Sequence, residues 1–473
     1  MRTLATYLSQ DEVEAVHEAS LEVLQNVGVL VRSQEARQRF AAHGCHVDAE
    51  QGLVRFPRAV VEAQRQAFPP TFTFYGRDPR FDRTIPDDGP LMMTGSAAPD
   101  VVDLFTGDAR RCRSADIAQI AHLVNELPGY DIFSVATTAD DAPPGRPGLA
   151  RLYPALKHCL KPIRCSATNL ADTEDILTMA ALVAGGEEAF WERPFVTFIY
   201  CATISPLTMD VESTERLMRF AERGIPSQGI VTPSAGVSAP LTLLGTLVIA
   251  NAEFLAQACL VQMSRPGTPI IYDSLPTVTD MRAGAYAPGG IETAMLVMGC
   301  AQMASFYGVP SAGFAGMTNA KVDDAQAGYE TGLSTMAAML GGVDLLAMGG
   351  LLDALMAFDF GKAVVDHEIA LMLKRTWRGL EFGEENLALE LIATVGPGGL
   401  YADRRHTLKR MRTEGLLPEI AERRPRGQWL ADGGRDAQAR ALDKAREILS
   451  RDNPAIFAPE LDAAIRSRLQ IDF

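Results

Sequence analysis

Five aromatic residues occupy positions where they could meet a cationic ligand. Tyr200, Tyr272 and Phe314 fall within or at the ends of short apolar runs, and Phe358 and Phe360 follow the last such run. Ring faces attract quaternary ammonium groups by about 0.5–2 kcal/mol each, so convergence of several rings at one opening would form a cage. The same positions also fit ordinary core packing. A second feature is the polar segment NAKVDDAQAGYE at 319–330, set between two apolar stretches. Asp323 or Asp324 can cap the helix that follows, which places Gln326 and Glu330 four apart on one face. That face could project onto a pocket or remain solvated.

Other chemistries leave weaker traces. Seven histidines show no HxH on a strand and no HExxH helix, so metal ligation has little support. Asp366-His367-Glu368 gathers three titratable groups at a predicted helix start, which reads as capping with solvated charge. There is no phosphate-cradling glycine loop of Walker type and no GxSxG elbow, which removes the usual phosphoryl-transfer and serine-hydrolase readings. Lys161, Lys321 and Lys362 keep open a Schiff-base lyase or aldolase barrel, although Lys161 precedes its strand and belongs at the wrong end of a barrel.

The elements that must position these residues follow a clear rhythm. Short strands are predicted at 132–138, 163–168, 196–203, 227–232, 269–274, 311–314 and 345–348, alternating with helices at 115–126, 172–184, 208–223, 240–264, 290–307, 325–340 and 362–378. Repeated βα alternation with near-continuous apolar strands implies a buried parallel sheet. Seven visible units point to a (β/α)8 TIM barrel with one strand unplaced. An open doubly wound sheet is disfavoured because no GxGxxG follows the first strand. The division expected is an N-terminal α+β cap at 1–112, the barrel at 113–400 and a C-terminal helical extension at 401–473. Within the cap, helical spacing runs over 10–42 and a strand is predicted at 53–56. The extension is expected to pack outside the barrel or on a neighbouring subunit.

Composition limits the partners. The chain has 473 residues, 47% of them hydrophobic, and a net charge of −15, which argues against nucleic acid or an anionic membrane surface. Seven scattered cysteines without a CxxC read as reduced thiols, and the first residues carry no signal pattern, so a cytoplasmic location is expected.

Several segments, taken in order, resemble the trimethylamine methyltransferase family of corrinoid-dependent methyltransferases. They are HEASLEVLQNVGV at 17–29, FYGRDP at 74–79, DLFTGDARR at 103–111, Lys161-Pro162, Ser205-Pro206-Leu207, the segment 319–330 and the tail from Trp429. The resemblance implies a (β/α)8 barrel with terminal additions. It also implies transfer of a methyl group from a methylated amine to cob(I)alamin, the cobalamin being carried by a separate corrinoid protein, and a homo-oligomer. Founding archaeal members hold pyrrolysine in the loop matching 313–322. Here that loop has only standard residues, as in the branch resembling glycine betaine methyltransferases, where quaternary amines such as carnitine or proline betaine are also substrates.

On that reading Tyr200, Tyr272, Phe314, Phe358 and Phe360 are cage candidates, and Asp324, Gln326 and Glu330 shape the electrostatics of the pocket. Lys321 is a candidate anchor for a substrate carboxylate. The alternatives are the Schiff-base barrel and a family member that binds a betaine without demethylating it.

Overall fold

The computed structural model describes residues 5–167 and 169–471. Thr168, the end of the predicted strand 163–168, lies outside the described residues. Eight strands form a parallel barrel: β1 (Leu91–Thr94), β2 (Phe133–Ser134), β3 (Ile163–Cys165), β4 (Val196–Tyr200), β5 (Ser227–Val231), β6 (Tyr272–Ser274), β7 (Ser311–Phe314) and β8 (Leu345–Gly349). β8 pairs with β1, and a parallel bridge between Met93 and Ile132 closes the ring. The seven strands expected from sequence are all present. The eighth is Leu91–Thr94, so the barrel begins inside the segment 1–112 assigned to the cap.

Each strand is followed by a helix that returns along the outside: α1 (Ser114–Glu126), α2 (Pro147–His158), α3 (Leu170–Ala184), α4 (Glu212–Glu222), α5 (Leu243–Ser264), α6 (Ile291–Tyr307), α7 (Ala325–Leu340) and α8 (Phe360–Arg378). Side chains fill the lumen on one face of each strand and helices cover the other. This double burial is why the strands read as apolar runs rather than alternating ones. α5 is long and apolar enough to cross a membrane by length and composition, and most of it is buried in the barrel wall.

The N-terminal layer departs from a single helical run over 10–42. The helix Gln10–Glu22, started by a reciprocal Ser9–Glu12 capping box, gives way to a strand at Val29–Val31. The break falls at Gly28, whose φ is +86° and whose absent Cβ would lie 2.6 Å from the Val54 carbonyl oxygen. Val29–Val31 pairs in parallel with Thr208–Met209, in the loop after β4, which ties this layer to the C-terminal end of the barrel.

The opposite end is tied shut. The Lys161 ammonium, buried at the start of β3, donates to the carbonyls of Val124, Leu127 and Tyr130 at 2.7, 2.8 and 2.8 Å. Just before β1, Trp377 at the end of α8 packs on Gly89.

After α8 the chain leaves the body at Gly379 and is pinned back where the Arg375 Nε donates to the Glu414 carbonyl at 2.9 Å. It then turns up the flank, where Glu368 accepts from the backbone N–H groups of Glu419, Ile420 and Ala421 at 2.7, 2.6 and 2.8 Å. The helix Ala437–Leu449 packs between α8 and α1. Asp366, His367 and Glu368 therefore lie buried in mid-helix as staples, rather than as solvated caps at a helix start. Burial pushes the His367 imidazole down to about 4, and its Nδ1 accepts from the Gly129 N–H at 2.9 Å.

Candidate active site

The lumen carries polar side chains from five consecutive strands. Arg164 on β3 is fully buried and donates from Nε to Gln228 Oε1 of β5 at 2.8 Å, from Nη1 to Ser134 Oγ of β2 at 3.3 Å, and from Nη2 to Asp273 Oδ2 of β6. Gln228 Nε2 donates onward to Thr197 Oγ1 of β4 at 3.1 Å. Burial raises the Asp273 carboxyl, and Arg164 works against that rise. The guanidinium is the stronger base by far and keeps its proton, so the pair stays ionic. Oδ1 of Asp273 is buried without a hydrogen-bond partner among the described residues. An unpaired carboxylate oxygen in such a setting is costly unless a ligand completes it.

Cys201 and Tyr286 stand above this pair. Cys201 follows β4, is open to solvent and lies near both Asp273 and Arg164. Its thiol, although the residue reaches solvent, is surrounded by enough protein to be pushed up to about 11, first by that desolvation and then by the Asp273 charge, so it is largely neutral at ordinary pH. Tyr286 lies on the hairpin Thr277–Asp280/Ala285–Ala287, which rises after β6. Its hydroxyl approaches Thr277 and Cys201, and although the residue as a whole is 40% exposed, desolvation at the hydroxyl pushes it up to about 12.

The polar segment at 319–330 supports this hairpin. Asp324 caps α7, accepting from the N–H groups of Gln326 and Ala327 at 2.8 and 3.3 Å. One turn on, Gln326 Nε2 donates to Glu330 Oε1 at 2.9 Å, the same-face pairing that the spacing predicts. Glu330 Oε2 accepts from Thr318 Oγ1 at 2.5 Å and from the Asn319 N–H at 2.8 Å. Asn319 in turn donates from Nδ2 to the Tyr286 carbonyl at 2.9 Å and accepts from the Gly289 N–H at 3.0 Å. Gly289 must lack a side chain, since a Cβ would sit 2.5 Å from Glu330 Oε2. Gln326 and Glu330 thus act at a distance, fixing the loop that aims Tyr286, while Asp324 is an exposed cap.

The five cage candidates do not share one chamber. Tyr200 stacks on Phe220 of α4 at 5.8 Å, and Tyr272 lies flat on Phe254 of α5 at 4.0 Å, so both face the helix layer. Phe314 points into the lumen, with the Arg164 guanidinium 5.5 Å over its ring. Beyond β8, Phe358 lies on the strand Ala357–Asp359, which pairs with Asp100–Val102, and meets Phe360, the first residue of α8, edge to face at 5.5 Å. Phe360 also borders a separate cavity of about 330 Å³, together with Leu104, Asp323 and Arg446. The Asp323 carboxyl there is pushed up to about 7 by burial, against the pull of Lys362.

The three lysines are all engaged. Lys321 is exposed and pairs with Asp353, away from the lumen, so it is not placed as an anchor for a lumen ligand. Lys362 is held by Asp366 and by Thr331 Oγ1 at 2.9 Å. Lys161 donates to three carbonyls at the closed end. None of the three presents an uncommitted amine to the opening, which leaves the Schiff-base reading without a nucleophile.

Glu253 of α5 is a further buried carboxyl, which sequence reasoning missed. It accepts from Ser205 Oγ at 2.7 Å and from the Leu207 N–H at 2.9 Å, fixing the turn Ser205-Pro206-Leu207. Burial pushes it up to about 7 from an ordinary value of 4.5. The folded state therefore favours the protonated form. That contribution is fully present below about pH 4.5 and is lost as pH rises through 7. We expect Glu253→Gln to gain about 2–3 kcal/mol on the native chain between pH 5 and pH 8. Denaturant unfolding of both proteins at the two pH values checks this, and parallel pH dependences would refute it.

A family model described as trimethylamine methyltransferase (MTTB) matches residues 2–473. Glycine betaine methyltransferase of Desulfitobacterium hafniense strain Y51 is 33% identical over 466 residues, covering 97% of this chain and 95% of that protein. Trimethylamine methyltransferase MttB of Methanosarcina thermophila is 30% identical over 460 residues, covering 93% of this chain and 92% of that protein. The crystal structure of the hydroxylamine MtmB complex aligns with a TM-score of 0.51 over 94% of this chain and 93% of that chain, at 13% identity, a likeness of fold. With the barrel, its additions and the full-length match in agreement, the chain belongs to the trimethylamine methyltransferase family.

Proposed function

We propose that this protein takes a methyl group from a quaternary amine, glycine betaine or a close analogue, and passes it to cob(I)alamin carried by a separate corrinoid protein. It would work in the cytoplasm as a homo-oligomer. The observation that carries the reading is the Asp273 carboxylate, buried below the opening with one oxygen unpaired. A methylated cation seated there would lie against the free Asp273 oxygen, held by charge attraction since it has no N–H to donate, with the Phe314 ring on one side and Tyr286 above. The standard residues of the 313–322 loop and the glycine betaine relative support a quaternary amine over trimethylamine.

The corrinoid, a substrate brought by the partner, supplies the nucleophile. The new bond forms to the methyl carbon as the C–N bond breaks, and the C–N electron pair stays on nitrogen, which leaves as a neutral tertiary amine. The protein therefore needs no nucleophile of its own, in accord with the neutral Cys201 and the committed lysines. Its residues orient the N-methyl group toward the opening and hold the amine away from bulk water, and orientation alone can contribute several kcal/mol.

The test is spectral conversion of reduced cob(I)alamin to methylcobalamin across glycine betaine, carnitine, proline betaine, choline and trimethylamine, with thermal melting on the same panel. We expect methyl transfer and ligand stabilisation with one quaternary amine, and neither with trimethylamine. Stabilisation without transfer would leave a betaine-binding protein. Silence in both measurements would overturn the proposal.

A further inference from the structure

Strand parity decides which side chains of β4 face the lumen. Thr197 Oγ1 accepts from Gln228 Nε2 across the lumen at 3.1 Å, so Ile199 and Cys201 lie on the same inward face. Exposure climbs along it: Thr197 is buried, Ile199 partly buried and Cys201 exposed. Register sets the height. Tyr200 pairs with Gly229, which brings the next residues, Cys201 and Ile230, side by side, and Ile230 pairs with Asp273. Cys201 therefore shares a layer with Asp273, whose charge its thiol feels together with that of Arg164. The other six cysteines are buried. Cys201 alone is open to solvent while enclosed by protein, which is the setting of a side chain on the wall of a crevice.

Other walls of that crevice come from neighbouring strands. Asp273 of β6 is fully buried and has Oδ1 unpartnered among the described residues. Phe314 of β7 points inward beneath the Arg164 guanidinium. In the ring of eight, β4 and β7 stand three strands apart, so Cys201 and Phe314 face each other across the mouth with Asp273 between them. Phe314 is fixed by its burial, whereas the exposed side chain at 201 can grow or shrink without disturbing the core. A neutral thiol behaves as a small, polarizable apolar group. It packs against N-methyl groups and leaves the charge to Asp273.

We infer that Cys201 determines the specificity of the amine site, the size of the side chain at 201 setting the gap to Phe314 and hence the size of the ammonium head admitted. The inference rests on the proposed amine site and names the wall that measures its ligand. In a fitted pocket one carbon is worth about 10–200-fold. A side chain one heavy atom larger than cysteine should turn the preference toward a head one methyl smaller.

The test uses the full-length chain. Calorimetry gives Kd for glycine betaine, carnitine, proline betaine and choline, and for the tertiary amine that each becomes on losing a methyl group. Iodoacetamide at about pH 9, where some thiolate exists, should alkylate Cys201 and spare the six buried thiols, as read by peptide mass spectrometry. The amine that binds, at about ten times its Kd, should slow that alkylation about 10-fold. In Cys201→Val the ratio of quaternary to tertiary Kd should rise at least about 10-fold, while Cys201→Ala, which narrows nothing, keeps it within about 3-fold. Because the side chain is exposed, both variants should melt with the native chain. An amine that binds yet leaves alkylation unhindered, a Cys201→Val chain with the native ratio, or equal shifts in both variants would overturn the inference and leave the proposed function standing. Failure of all four quaternary amines to bind the native chain would remove the proposed site and this inference with it.

Discussion

Asp273→Ala is expected to destabilise the fold by about 3–5 kcal/mol and to abolish methyl transfer. The loss of stability comes from Arg164, whose guanidinium would remain in the lumen without its counter-ion and with its Nη2 donor unmatched. Removing both charges should behave differently. Arg164→Met with Asp273→Leu fills the same space with apolar groups, so it should recover most of the lost stability while remaining inactive. Asp273→Asn separates structure from charge in another way. It keeps an acceptor for Arg164, and we expect kcat/KM for the quaternary amine to fall at least about 100-fold while stability drops by only about 1–2 kcal/mol. Denaturant unfolding and methylcobalamin formation measure the two effects separately. A value of kcat/KM within a few-fold of native for Asp273→Asn would remove the carboxylate from the substrate site.

The second large effect is expected at Glu330, which touches no substrate in this scheme. Its Oε2 holds Thr318 and Asn319, and Asn319 holds the backbone beside Tyr286. Glu330→Ala should release that chain of contacts and displace Tyr286. A misplacement of about 1 Å can cost about 100-fold in rate, which is the loss expected in kcat/KM. Stability should fall by only about 1–3 kcal/mol. Because Asn319 transmits the effect, Asn319→Ala should produce a similar loss, and the double variant should lose little more than either single one. Additive losses would show that the two residues act separately.

The barrel was largely legible in the sequence because double burial writes each strand as a compact apolar run between turn signals. The strand Leu91–Thr94, one of two short β-prone pieces within 91–111, could not be told apart as an extension of the cap or a closing strand of the barrel, because four residues of continuous burial, LMMT, resemble the short cap strands around it. The lumen was less legible, although a signal existed. Arg164, Gln228 and Asp273 each interrupt a strand that otherwise reads as buried on both faces. A charge in such a strand must face the lumen and find a partner there. Strand parity would also have sorted the aromatics. With Asp273 pointing inward, its neighbour Tyr272 must point outward, and Thr197 inward sends Tyr200 to the helix layer. Tyr286 gave no comparable signal, since its position depends on Asn319 and Glu330 from a different loop. The pairing of Gln326 with Glu330 was readable from helix spacing, but what Glu330 holds was not.

Among the described residues the Arg164 network crosses the lumen and Lys161 ties the far end, which leaves the opening above Asp273 as the way in. In the proposed reaction the order of events is then compulsory. The amine must be seated before the carrier protein covers the opening, and the demethylated amine can depart only after the carrier has left. The amine is first on and its product last off, which makes that product a competitive inhibitor of fresh amine. In that scheme excess carrier protein would slow turnover by covering empty barrels.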